Sequence, residues 1–95
     1  MRDPDFSVFE AANHDQSVIV HVGRNGDTRA VQLEPAAMEL PDQELASRIV
    51  RLNTLAYLRS QLAIRREMEA NRVEGISGRL PTEPQVNAYA ATIDF

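Results

Sequence analysis

Residues 17–34 read SVIVHVGRNGDTRAVQLE. Asn25-Gly26 is a preferred two-residue strand connection, because both central residues of a type I′ turn take positive φ, which Asn and Gly tolerate best. With that loop, Arg24 faces Asp27, Val22 faces Arg29, Val20 faces Val31 and Val18 faces Leu33. Side chains alternate along a strand, so Val18, Val20, Val22, Val31 and Leu33 share one face, and Ile19, His21, Ala30 and Gln32 the other. Turn chemistry and alternation point to the same hairpin, with strands over about 17–23 and 28–34. Upstream, DFSVFEA alternates apolar and polar positions before the loop-like NHDQ. It predicts a third strand over about 6–12 and an antiparallel β-meander.

Downstream, Pro35 stops the sheet pattern, and Pro41 suits a first helical turn, where its missing N–H costs nothing. Asp42 and Glu44 follow where the helix dipole favours negative charge. A helix is predicted over about 41–71, ended by Gly75 and Gly78. At 100° per residue its apolar residues fall into three stripes. Leu45, Ile49, Leu52, Ala56 and Ala63 form the first; with Val18, Val20, Val22, Val31 and Leu33 of the hairpin, Leu45, Ile49 and Leu52 are the expected core. Ala46, Val50, Tyr57, Ile64 and Met68 form the second, and Leu55, Leu58 and Leu62 the third. One small sheet covers only one stripe, so Leu55, Leu58, Leu62, Val50, Tyr57 and Ile64 are the expected packing surface for a second copy or a client. The competing arrangement has the C-terminal segment folding back over the extra apolar surface. In that segment Thr82 and Gln85 have the spacing of a capping box, which predicts a short helix over about 83–92. The whole reads as a single α+β domain over 1–95, with a short leader at 1–5, a linker at 75–82 and a helical tail at 83–95.

The totals limit function. The 95 residues are 43% hydrophobic and 25% charged, an ordinary globular balance. A chain of this size hides only roughly 60 to 65% of its unfolded surface, so partners can contribute much of its stability. There is no cysteine, which removes disulfides, thiolate metal sites and cysteine nucleophiles and agrees with a cytoplasmic location. The amino terminus has neither the basic start nor the apolar run of a signal peptide, and no stretch is long and apolar enough for a membrane span. Net charge is −4, and all ten basic residues are arginine.

The residues offer little to catalysis. His14 lies in a polar turn and His21 in mid-strand, neither spaced with carboxylates as a metal site requires. The acidic residues near the start lack the spacing of a calcium loop, and no glycine arrangement resembles a phosphate-binding loop. We expect no enzyme, cofactor or metal. What stands out is the helix segment LASRIVRLNTLAYLRSQLAIRR, residues 45–66, with five arginines and no acid. Arg48, Arg59 and Arg66 project within about 20° of one another and Arg51 about 60° away, forming a basic ridge. Such a ridge neutralises DNA phosphates or meets acidic groups on a protein. The acidic total and the absence of interleaved aromatics favour protein.

The hairpin SVIVHVGRNGDTRAVQLEP, the link AMELPDQELASRIV and the long alanine- and leucine-rich helix together resemble the YbaB/EbfC family of small dimeric proteins. The helix opening QELASRIV and the late segment LPTEPQVNAYAATIDF resemble most closely the mycobacterial type VII (ESX) secretion-associated proteins EspD and EspH. The resemblance implies a three-stranded sheet with a long helix, a homodimer, and no enzymatic activity. It further implies an accessory or chaperone-like role toward secretion substrates, with export by the type VII system left open, or nucleoid-associated DNA binding in the YbaB manner. Two departures from the pattern are expected: only a few residues stand before Phe6, where YbaB-type proteins carry a helix ahead of the sheet, and in place of the long acidic leader of EspD and EspH stands MRDPD.

Overall fold

The computed structural model describes residues 8–72, 75 and 80–95. The leader at 1–5, the start of the first strand at Phe6 and Ser7, and residues 76–79 of the linker, Gly78 among them, lie outside the described residues.

Three strands, β1 (Val8–Ala12), β2 (Val18–Gly23) and β3 (Thr28–Leu33), form an antiparallel sheet in the order β1-β2-β3. A short 3-10 helix, Pro35–Glu39, leads into the long helix α1 (Asp42–Ala70), and α2 (Glu83–Ala90) closes the described chain. The fold is α+β, as expected, with one helical layer on one face of the sheet.

The β2–β3 register agrees with the alternation away from the turn: Val18 pairs with Leu33 and Val20 with Val31. Near the turn it differs, because Val22 pairs with Thr28 and a bulge sets Arg29 out of step. Only Gly26 takes positive φ in the connection, at 87°, and its N–H donates to the Gly23 carbonyl at 3.0 Å. The loop is therefore a tight turn followed by one left-handed glycine, the three-residue form that carries a bulge, rather than the two-residue type I′ loop. Gly26 also has no room for a side chain, since a Cβ there would stand 2.7 Å from the Tyr57 ring.

The β1–β2 connection is built from polar side chains. Asn13 is buried; its Oδ1 accepts from the Val18 N–H at 2.9 Å and its amide donates to Ser17 Oγ at 2.9 Å. Asp15 accepts from the Ser17 N–H at 3.0 Å. The Ser17 hydroxyl, then its N–H, hold the Asp15 carboxyl below its ordinary value. These bonds fix the strand separation through residues whose role had no apolar signature.

Helix α1 ends at Ala70, ahead of the glycines: Asn71 donates to the Glu67 carbonyl, and Arg72 is the left-handed residue at φ 56°. Helix α2 opens with the anticipated capping box: the Thr82 side chain accepts from Gln85 N, and Gln85 Oε1 accepts from Thr82 N at 2.9 Å. It ends at Ala90, slightly earlier than expected.

The core lies between the sheet and α1. Val18, Val20, Val22, Ala37, Leu52 and Ala56 are fully buried, and Ala11 and Val86 nearly so, with Leu45 and Ile49 packed at its margin. Ser60 is also fully buried, its hydroxyl donating to the Tyr57 carbonyl at 2.7 Å, so a small residue sits where helix and sheet meet. Val31 and Leu33 were expected in this core and are outside it, 41% and 37% exposed although they share the inner face with buried Val20 and Val18. The reason is width. A helix with side chains is about 10 Å across and strands lie about 4.8 Å apart, so one helix covers about two strands. Here α1 packs mainly on β2 and β1.

Candidate functional site

The ridge arginines meet their own chain. Arg48 pairs with Glu44 at 2.8 Å, and Arg66 with Glu83 at 3.1 Å. Arg59 donates to the Glu10 carbonyl on β1 at 2.6 Å, and Arg51 to the Thr92 carbonyl. Phe95 lies under two of them, its ring centroid 4.8 Å from the Arg48 guanidinium carbon and 5.0 Å from that of Arg51. Arg65, next to the ridge, donates to the Leu80 carbonyl at 2.9 Å. The arginines thus bind the C-terminal segment and the β1 edge to α1.

The third apolar stripe has the same destination. Leu55 and Leu62 are buried and Leu58 packs on the core, with Val86, Tyr89, Ile93 and Phe95 alongside. By spacing alone these leucines offer a packing surface to a second copy or a client. In the structure α2 and the tail cover this flank, the fold-back arrangement, because the capping box turns the tail toward α1 and Val86 enters the core. The His14 N–H donates to the Phe95 carbonyl at 2.7 Å, completing the closure of this side.

The second stripe remains open. Val50 is 62% and Tyr57 43% exposed; Ile64 is half-buried. These residues lie on the β3 flank of α1, as shown by the Thr28 hydroxyl 2.7 Å from Asn53 Oδ1 and by Tyr57 over Gly26. Every residue of β3 is exposed. Val31 and Leu33 from the sheet, Val50 and Tyr57 from the helix, and Met38 from the 3-10 helix are the large apolar side chains exposed at this end. They form a one-sided apolar face next to a strand edge that no other described strand occupies. The Arg24–Glu67 ion pair bridges the hairpin to α1, and the Arg24 guanidinium holds the Glu67 carboxyl below its ordinary value.

On the outer face His21 Nε2 lies 2.9 Å from Glu10 Oε1 across the β1–β2 pair, a surface contact on a strand with no second base nearby. His14 is exposed in its turn. Among the described residues no group of three or more His, Cys, Asp or Glu side chains could hold a metal ion, and no helix is long and apolar enough to cross a membrane. A hollow of about 300 Å³ lies where β1, α1 and α2 meet, between Phe9, Leu62 and Val86, with Arg59 and Arg66 beside it. Residue spacing gave no sign of it, since it is made from three separate elements.

No protein-family model, curated protein or solved structure matches this chain.

Proposed function

We propose that this protein is a non-enzymatic binding module, homodimeric, that acts as an accessory or chaperone-like factor for the substrates of a type VII secretion system. The observation that carries the proposal is the uncovered half of the inner face: Val31 and Leu33 stand exposed beside fully buried Val20 and Val18, with no α-helix of the described residues packed above them. An apolar face next to an open strand edge favours an extended or helical apolar segment of another protein. In the absence of a client, a second copy of the chain takes the same surface. The link to secretion substrates rests on the sequence resemblance to the EspD and EspH branch.

The arginine ridge carries less of the proposal than its charge suggested. Arg48, Arg51, Arg59 and Arg66 each have a partner within the chain, and net charge is −4, so DNA is the weaker reading of the surface. The experiment is affinity purification of the tagged protein from its native host, with and without nuclease, using the wild type, Val31→Glu and Arg48→Ala plus Arg59→Ala. A small set of secretion proteins, unaffected by nuclease and lost with Val31→Glu, is expected. DNA-associated proteins lost on nuclease treatment and on removal of the arginines would replace this reading with the nucleoid one.

A further inference from the structure

The hollow between β1, α1 and α2 has a composition that neither the core nor the uncovered face shares. Its inner wall is apolar: Leu62 and Val86 are buried, and Phe9 and Ala63 half-buried. Two guanidinium groups, from Arg59 and Arg66, stand along its exposed side. Arg59 is oriented by its bond to the Glu10 carbonyl, and a guanidinium carries five N–H donors, so this single bond leaves others for a ligand. Arg66 is held by Glu83, also part of the lining, at 3.1 Å. Both side chains of that pair are more than half exposed, and such pairs open readily in water. The Glu83 carboxylate therefore marks a position that a carboxylate can take at Arg66, while competing for it.

We propose that this hollow binds a small organic carboxylate carrying one compact apolar group. The apolar group rests on Phe9, Leu62, Ala63 and Val86, and the carboxylate displaces Glu83 and lies against Arg66 and Arg59. Size limits the ligand: 300 Å³ is about ten times the share of one water molecule in the liquid, so it has on the order of ten non-hydrogen atoms. An arylacetate or a branched short-chain acid meets these terms. This site lies on the opposite flank of α1 from the face proposed for partner binding, and it stands or falls separately.

The test is a titration of the full ¹⁵N-labelled chain with phenylacetate, followed by amide shifts, with acetate and benzyl alcohol as probes of the charge alone and the apolar group alone. Phenylacetate is expected to saturate with shifts centred on residues 9, 62–63 and 86–87, binding at least about tenfold more tightly than either control. Arg66→Gln is expected to weaken it about tenfold, Ala63→Leu to abolish it by filling the hollow, and Glu83→Gln to strengthen it by removing the competing carboxylate. Equal binding of benzyl alcohol, shifts spread without saturation, or no gain from Glu83→Gln would overturn the proposal. Because Glu83→Gln and Arg66→Gln predict changes of opposite sign, a loss caused only by misfolding is distinguished from loss of the site.

Discussion

Beside β1, the sheet has a second layer of contacts that β3 lacks. On the β1 side Arg59 reaches the Glu10 carbonyl, Phe95 accepts from the His14 N–H, and Val86 enters the core. On the β3 side all six strand residues are exposed, and the inner-face residues Val31 and Leu33 have no cover comparable to that over Val20 and Val18. The two sides differ because the described residues supply one long α-helix and one short one. The long helix covers two strands; the short one and the tail close the flank on β1, and only the 3-10 helix Pro35–Glu39 is left beside β3, where Val31 and Leu33 stay exposed. Exposed apolar surface here follows from the topology, on an edge whose apolar face is otherwise a hazard for uncontrolled association.

The largest effect expected from this comparison is on the covered side. Leu52→Ala removes a fully buried side chain and should cost about 3 kcal/mol in chemical denaturation. Leu33→Ala, the same change on the uncovered side, should cost the isolated chain about 1 kcal/mol or less. Equal losses would mean that something covers β3. Next in size, Val86→Ala tests whether α2 is integral to the fold; burial of this valine predicts a loss of about 2 kcal/mol. If stability is unchanged, the tail is only loosely attached and the third stripe of α1 is open as well. Thr82→Ala removes the capping box and should cost about 1 kcal/mol, lowering the thermal midpoint without altering the sheet.

Several of these elements were legible in the sequence. Asn25-Gly26 and the alternating valines located the hairpin and set its faces, and Thr82 with Gln85 located α2. The type of turn was not legible, because Asn-Gly serves both the two-residue loop and the three-residue loop with a bulge. Alternation assigned Val31 and Leu33 to the correct face and could not say whether a helix lay above it; that required comparing the width of one helix with that of three strands. The partners that the ridge arginines have within the chain were not legible for a different reason. Two of their partners are backbone carbonyls, at Glu10 and Thr92, which any residue presents, so no pattern of side chains announces them. The pairing of Asn13 with Ser17 was equally silent, since both read as ordinary loop residues.

The smallest expected effect concerns the turn on the covered side. Hydrogen bonds from Ser17 lower the Asp15 carboxyl below its ordinary value of 3.8. A carboxyl with a lower pKa folded than unfolded stabilises the fold in its charged form. Its contribution is therefore complete above that ordinary value and is lost as pH falls through the depressed folded one. Asp15→Asn should lower stability slightly at neutral pH and flatten the acid limb, so that variant and wild type converge at low pH. A wild-type curve already flat across that range would remove Asp15 from the account.

The central claim is that the β3 side of the molecule is a binding face. Sedimentation velocity of the purified protein over a range of micromolar concentrations tests it most directly, with Val31→Glu plus Leu33→Glu as the comparison. The account predicts a wild-type species larger than the 10.6 kDa chain, reduced to 10.6 kDa by the double substitution with the fold retained. A wild-type protein that stays at 10.6 kDa at every concentration would contradict self-association through this face.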